Sequence, residues 1–300
     1  MRQQDHGRAG LGAMKWLAGF AVLALLAAFA LFSAGAQSAT GPAGAATDAR
    51  EKPARDLSRN TAKAANHKNA REVTYRVQGD QLKGKRVKPK HRRIWGRFIA
   101  LIPTDARTHL RKFAVFRGRF AGAYVTPVNN PKKWKMGVSQ GLSNSRDLDF
   151  VLVHEFGHLL TLKASQVPPG SAKQGCTTYF PGEGCATAAS YLAQYVAEFW
   201  QSTGRLAEWK QETKGGRKGV NQFYNEHRDE FVTSYAPTHP AEDIAESFAA
   251  FIVANSPTGA TVADEKRRFF ERFPELVELR NEVQSANPND QILARSAARR

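Results

Sequence analysis

The sequence predicts an α+β fold in which a small sheet precedes a mainly helical C-terminal half. The runs KFAVFRG and GAYVTP, at residues 112–118 and 122–127, alternate or continue in apolar character as β-strands do. Farther along, apolar side chains recur at helical spacing over residues 147–163 and 237–254. The 300 residues are 42% hydrophobic and 24% charged, a globular balance that excludes disorder or a fibrous structure for the chain as a whole.

Shorter patterns complete the expected order of elements. The stretch PTDARTHLRKF, at residues 103–113, predicts a short helix before the first of the two strands. Two further helices are expected over residues 186–200 and 221–231, between the two long helical patterns. The expected architecture is therefore a small sheet with helices packed on it.

The N-terminus has the pattern of an export signal. A positively charged start, with Arg2, Arg8 and Lys15, precedes an uncharged run over residues 16–36 that ends in small residues suited to cleavage. Because the run is nearly long enough to cross a bilayer, residues 1–36 are expected to be a cleaved signal peptide or an uncleaved membrane anchor. By the positive-inside rule, both alternatives make the protein exported: secreted, periplasmic or anchored to the outer face of the cell membrane.

Composition divides the rest of the chain into three parts. Residues 37–72 hold almost no large apolar side chains and are expected to form a flexible linker. Apolar periodicity then runs from residue 73 to residue 293, which predicts one folded domain over 73–293. Residues 294–300 are expected to be a solvated tail.

Nearly all of the net charge of +17 lies in one segment. Residues 81–140 contain sixteen Lys and Arg and a single acid, Asp105. The segment is expected to be either a solvated basic face or, over residues 83–135, a surface attracted to an anionic cell-envelope polymer or membrane. Trp95 and Trp134 are too few for a base-stacking platform, so nucleic acid is not an expected partner.

Residues 154–158, His-Glu-Phe-Gly-His, are a candidate metal motif on a predicted helix. Residues four apart lie on one helix face, so His154 and His158 can bind one Zn²⁺ together. Glu155 lies beside that face, where its carboxylate can accept a proton from zinc-bound water. If these three side chains were buried in an ordinary core helix without partners, the fold would be destabilised by on the order of several kcal/mol. The motif predicts one zinc ion per chain, with Glu155 as the general base.

A third ligand is expected on the helix predicted over residues 237–254. Pro240 favours a helix start, and Glu242 and Glu246 fall together on one face beside alanines. Small residues there, with Gly157 on the motif helix, would let the two helices pack closely. Either Glu242 binds zinc while Glu246 accepts the free N–H of a ligand histidine, or the two carboxylates form an exposed acidic first turn.

Two neighbouring residues are assigned other roles. Asp243 is expected to face solvent on this helix. His239, three residues before Glu242, is an alternative third ligand.

The spacing of HEFGH, Tyr235, Glu242 and Glu246 resembles the gluzincin branch of zinc metallopeptidases. It is most similar to zinc-binding metallopeptidases of bacterial envelopes and, distantly, to the catalytic domain of anthrax lethal factor. The resemblance implies a zincin-like fold with the following roles: His154, His158 and Glu242 as zinc ligands, Glu246 as the support of His154, and Tyr235 directed at the zinc. From the residues alone, Tyr235 either donates a hydrogen bond to the oxyanion of the reaction or packs as an ordinary aromatic side chain.

Cys176 and Cys185 bracket a loop that contains Gly and Pro. In an exported protein, two cysteines this close are expected to form a disulfide bond.

These patterns predict an exported zinc-dependent endopeptidase, with a protein or peptide as substrate. In the expected reaction Glu155 takes a proton from the attacking water and returns it to the leaving amine, while Tyr235 stabilises the oxyanion. The alternative is a catalytically inactive, zinc-stabilised module that binds an anionic envelope polymer through residues 83–135.

Overall fold

A computed structural model describes residues 71–117, 122–128, 132–144, 147–171 and 173–287. The predicted signal peptide or anchor, nearly all of the predicted linker and the predicted tail lie outside the described residues. The first strand begins two residues before the predicted start of the domain. Within the described ranges, no helix has both the length and the apolar character that a membrane span requires.

The described chain begins with a mixed sheet. Its strands are β1 (Arg71–Gln78), β2 (Gln81–Lys83), β3 (Leu110–Arg117), β4 (Ala123–Pro127) and β5 (Trp134–Ser139). They lie in the order β2-β1-β3-β5-β4, and only the β3–β5 pair is parallel among these neighbours. The two predicted strands are confirmed as β3 and β4, and β4 lies at an edge of the sheet.

Helices make up most of the remaining described chain, which confirms the predicted α+β class and the mainly helical C-terminal half. They are α1 (Pro89–Leu101), α2 (Leu148–Leu162), α3 (Tyr191–Val196), α4 (Arg205–Glu212), α5 (Arg217–Glu226), α6 (Pro240–Val253), α7 (Val262–Arg268) and α8 (Pro274–Ala286). Helix α3 continues directly into a π-helical turn at Ala197–Gln201.

The helix predicted over residues 103–113 is wrong. Residues 104–109 form a turn that leads into β3. The buried guanidinium of Arg107 donates to the carbonyl oxygens of Ile102 and Gly79, at 3.0 and 2.8 Å, and so holds this segment as a turn. The helix of this region is α1, upstream of the turn and within the basic segment, where the buried apolar side chains recur at helical spacing: Ile94, Trp95, Phe98 and Leu101.

Helix α2 is buried on all sides. It contacts α1, the edge strand β4 and α6, and each of its residues except Leu160 is buried. The contact with α6 is close, because a Cβ atom on Gly157 would lie 3.3 Å from the Cα of Ala245 and 3.1 Å from the ring of Phe248. The close helix approach predicted at Gly157 is therefore confirmed.

Cys176 and Cys185 form the predicted disulfide bond, with their Cα atoms 5.5 Å apart. The loop that they close is tied to the segment after α2. The backbone N–H of Cys185 donates to Oγ of Ser171 at 2.5 Å, and Gly184 pairs with Pro169 in an antiparallel β-bridge. These contacts hold the loop in a fixed position relative to α2.

Candidate metal centre

Three side-chain atoms from α2 and α6 converge on one point. The Nε2 atoms of His154 and His158 are 3.1 Å apart. The Oε2 atom of Glu242 lies 3.2 Å from Nε2 of His154 and 3.1 Å from Nε2 of His158. The two histidines are four residues apart on α2, and Glu242 is in the first turn of α6. The three residues that the sequence indicated as metal ligands are therefore brought together.

The triangle of these atoms has the dimensions of a zinc site. Zinc binds imidazole nitrogen and carboxylate oxygen at about 2.0–2.1 Å with tetrahedral angles, so neighbouring ligand atoms lie about 3.3 Å apart. The exposed fraction of the side chain rises from 2% at His154 to 10% at His158 and 23% at Glu242, so the cluster opens on the side of Glu242. Two imidazoles, one carboxylate and an open side fit a catalytic zinc ion better than a closed structural one.

Glu246, one turn beyond Glu242 on α6, contacts the other nitrogen of His154. Its Oε1 atom lies 2.7 Å from Nδ1 of His154, and both side chains are 2% exposed. Glu246 acts on His154 both through its charge and as a hydrogen-bond partner. Nδ1 of His158 is buried and has no hydrogen-bond partner within the described ranges, so His154 is the more firmly held of the two histidines.

Thr233 is a site residue that the sequence pattern missed. Its hydroxyl donates a 2.6 Å hydrogen bond to Oε2 of Glu246. The same oxygen accepts hydrogen bonds of 3.2 Å from the backbone N–H groups of Tyr235 and Ala236, which fixes the turn before α6. A hydroxyl residue two positions before Tyr235 only weakly indicates a role in the site, because hydroxyl side chains are common in turns.

Tyr235 lies beside His154. Its ring centroid is 6.1 Å from that of His154, and the side chain is buried. Because Thr233 holds both the backbone of Tyr235 and the carboxylate of Glu246, it couples the position of the tyrosine to the support of His154.

Glu155 is buried beside the triangle. Burial raises the pKa of Glu155 to about 7, and the charges of Glu242 and Glu246 act in the same direction, whereas His154 and His158 oppose them. Its carboxyl group is therefore within electrostatic reach of all four of these side chains.

The electrostatics of the cluster favour positive charge between the three converging atoms. Burial alone would lower the pKa of His154, but Glu246 and Glu242 outweigh it and raise this pKa well above its ordinary value. Burial alone would raise the pKa of Glu242, but His158 and His154 hold it well below its ordinary value. The same electrostatic potential would stabilise a divalent cation bound between these atoms.

His239 does not join the triangle, so its alternative assignment as the third ligand is wrong. It is the N-cap of α6: its Nδ1 atom accepts a 3.2 Å hydrogen bond from the backbone N–H of Ala241, and its Nε2 atom lies 3.4 Å from the hydroxyl of Tyr179. Tyr179 belongs to the disulfide loop. Burial raises the pKa of Glu183, in the same loop, above its ordinary value. A backbone hydrogen bond and the nearby charge of His158 oppose this shift without cancelling it. The loop therefore borders the site, which no sequence pattern indicated.

The prediction that Asp243 faces solvent is also wrong, because this side chain is fully buried. Its Oδ2 atom lies 2.8 Å from Nζ of Lys266 and accepts a 2.9 Å hydrogen bond from Nε1 of Trp200. Lys266 is on α7 and Trp200 is in the π-helical turn after α3. The periodicity of α6 by itself could not reveal these partners.

A second group of potential metal donors consists of Glu208, Glu226 and His227. Glu208 is already paired, with Nε2 of His227 at 2.6 Å and Nη1 of Arg205 at 2.9 Å. Glu208 is thus already paired with a protein cation, Arg205, whereas the carboxylate of Glu242 meets only histidines among the pairs of the described residues.

Comparison of the chain with protein-family models, with curated proteins and with solved structures found no match. The function therefore has to be inferred from the site itself.

Proposed function

We propose that the protein is a zinc-dependent peptidase that hydrolyses peptide bonds. The observation that carries the proposal is the convergence of His154, His158 and Glu242 within 3.2 Å of one another, with Glu155 buried beside them. A zinc ion held there would polarise the substrate carbonyl and lower the pKa of a bound water toward about 7.

The protein side chains have distinct parts in the reaction. Glu155 accepts the proton of the attacking water and returns it to the leaving amine. Tyr235 donates a hydrogen bond to the oxyanion that develops on the carbonyl oxygen. Glu246, held by Thr233, keeps the imidazole of His154 in the orientation that binds metal.

The edge strand supports a peptide substrate and a zincin-like fold. Among the described strands, β4 pairs with β5 alone, and it also contacts α2. Tyr124 on β4 is close enough to Glu155 for the charge of Glu155 to contribute, after burial and Glu72, to its raised pKa. An extended peptide added to the free edge of β4 would therefore run past the zinc ligands.

Export is part of the proposal. The charged and apolar pattern of residues 1–36 supports it. The Cys176–Cys185 bridge supports it independently, because disulfides persist in oxidising compartments.

Zinc content is the first test, because it needs no substrate. Elemental analysis of the purified chain is expected to give about one zinc per chain. Glu242→Ala should weaken zinc binding by more than about 100-fold, since even outer-shell partners are worth about 10–100-fold. Glu265→Ala, which removes an exposed acid on α7, is the control and should keep zinc. A folded wild-type chain without zinc after resupply would rule out the metal site.

The second test separates the base from the ligands. Glu155→Gln should keep zinc and lower the turnover of a cleaved library peptide by about 10²–10⁴-fold, because the ligands remain and the proton acceptor does not. Glu265→Gln should leave turnover unchanged. Undiminished turnover in Glu155→Gln would refute the assigned base. A zinc-loaded wild-type chain that cleaves no peptide would favour the inactive, zinc-stabilised alternative.

A further inference from the structure

The register of the sheet places a line of cations across four neighbouring strands. Arg76 on β1 is directly opposite Lys83 on β2 and also directly opposite Lys112 on β3. Lys112 is in turn paired with Lys135 on β5. Directly paired residues point to the same face of a sheet, and neighbouring strands are about 4.8 Å apart. The four side chains thus form one row perpendicular to the strands.

This row lies on the face of the sheet opposite α1. Phe113, the neighbour of Lys112, points to the opposite face, where its ring packs against Trp95 of α1 at a centroid distance of 5.0 Å. Lys83, Arg76 and Lys112 are all exposed. They are therefore accessible to a partner in solution.

The charge of the row is not balanced within the described parts of the chain. The acid on this face, Glu72, binds Lys135 at 3.1 Å and also accepts hydrogen bonds from Thr74 and Tyr124. No ion pair joins an acid of the described ranges to Lys83, Arg76 or Lys112. Like charges directly opposite each other in a sheet repel, so the fold retains a repulsion that a bound anion would relieve.

A basic groove lies in the segment that follows the edge strand β2. It has a volume of about 680 Å³ and its cationic lining side chains are Arg86, Lys88, Arg92 and Arg93. All four are exposed, and Arg86 follows Lys83 by only three residues. The groove and the three unpaired cations of the row together form what we call the basic surface.

The geometry points to a binding site for an extended, linear polyanion. A row of cations at strand spacing matches a chain of regularly spaced negative charges, and the groove after β2, at the edge of the sheet where the row ends, supplies further cations. Trp95 and Trp134 are 4% and 2% exposed, so neither offers a ring for stacking nucleobases. The apolar residues of the groove are Val87, which is half-buried, and Pro89, so the groove lacks a large exposed apolar side chain suited to insertion into a bilayer.

The test uses the full chain and long-chain inorganic polyphosphate. Wild-type protein should bind it with an affinity that falls as salt rises. The triple variant Arg76→Gln/Lys83→Gln/Lys112→Gln should bind at least tenfold more weakly. Its slope of log affinity against log salt should be shallower by about 2, since each lost contact on a single-stranded polyanion is worth about 0.7. Arg86→Gln/Lys88→Gln, in the groove, should weaken binding in the same direction.

The control removes the same charge elsewhere. Lys210→Gln/Arg217→Gln/Lys218→Gln changes three exposed cations of the helical half and should keep wild-type affinity and slope. Zinc content and thermal unfolding should be the same for both triple variants, which shows that the metal site and the fold are intact. Equal losses in both triple variants would mean that net charge alone binds the polymer, and would overturn the proposal. Absence of binding to polyphosphate, or tighter binding to anionic phospholipid vesicles through the same residues, would overturn it as well.

Discussion

Helix α6 carries a buried polar cluster on each of two sides, and the two clusters balance their charges in different ways. Toward α2, Glu242 meets the Nε2 atoms of His154 and His158 at 3.1–3.2 Å. On the other side, Asp243 meets Nζ of Lys266 at 2.8 Å and Nε1 of Trp200 at 2.9 Å. The Asp243 cluster is fully buried, whereas the Glu242 cluster is buried at the two histidines and opens at Glu242. An unpaired buried charge would be costly in either cluster.

The difference between the clusters indicates which one binds a ligand. The Asp243 cluster contains its own cation, and the ammonium group of Lys266 also lies 4.0 Å from the ring centroid of Phe231. In the Glu242 cluster, two ring nitrogens and a carboxylate oxygen converge within 3.2 Å of one another. A cation from outside the protein would complete that arrangement, as the proposed function requires. The comparison thus distinguishes a structural ion pair from a candidate metal site without reference to relatives.

The largest expected effect comes from breaking the structural pair. Lys266→Met should lower the free energy of unfolding by about 3–5 kcal/mol, because it leaves the carboxylate of Asp243 buried without its cation. Urea unfolding in the presence of a chelator measures this loss apart from any contribution of zinc. Zinc bound per folded chain should not change.

The matched variant for this prediction removes both partners. Lys266→Met/Asp243→Leu should recover most of the lost stability, since apolar replacement of a buried ion pair is often neutral. Recovery would show that the pair is structural. If Lys266→Met lowered the free energy of unfolding by less than about 1 kcal/mol, water would have access to the carboxylate of Asp243. The Asp243 cluster would then not be a buried structural ion pair, and the contrast with the Glu242 cluster would fail.

The Glu242 cluster could be predicted from sequence because its signals are local or follow one helical repeat. His154 and His158 are four residues apart, and so are Glu242 and Glu246, which fixes each pair on one side of its helix. The start of α6 at Pro240 was equally local.

The Asp243 cluster could not be predicted, because its partners come from other elements. Asp243 is buried by Lys266, twenty-three residues later, and by Trp200, which precedes it by forty-three. A helical repeat does not report such contacts, so it predicts that an acid beside Glu242 faces solvent. The turn at residues 104–109 was missed for the same reason: the hydrogen bonds that Arg107 makes to Ile102 and Gly79 decide it, not local propensity.

A smaller effect is expected at Thr233, which supports Glu246 beside the proposed metal site. Thr233→Val keeps the shape of the side chain and removes the hydroxyl that donates to Glu246. Zinc affinity, measured by competition with a chromogenic chelator, should fall by about 10–100-fold, the usual range for outer-shell partners of a metal ligand.

Thr238→Val is the control for this variant, because the hydroxyl of Thr238 donates to the carbonyl oxygen of Tyr235 in the same turn but not to Glu246. It should leave zinc affinity close to that of the wild type. Equal weakening in both variants would assign the effect to the turn rather than to the carboxylate.

The smallest expected effect concerns the spacing of α2 and α6, which sets the distances within the triangle. An alanine at Gly157 gains about 1 kcal/mol in helix propensity. Its Cβ atom, however, would lie 3.1 Å from the ring of Phe248, and overpacking costs about 1–3 kcal/mol. Gly157→Ala should therefore destabilise the protein by about 0–2 kcal/mol in urea unfolding.

Gly96→Ala on α1 provides the matched comparison, because a Cβ atom there would meet nothing within 4 Å. It should stabilise the protein by about 0.5–1 kcal/mol through helix propensity alone. The difference between the two variants measures how tightly α2 and α6 pack. If Gly157→Ala stabilised the protein as much as Gly96→Ala, the two helices would be free to separate. The triangle of His154, His158 and Glu242 would then be held together by the metal rather than preformed by the fold.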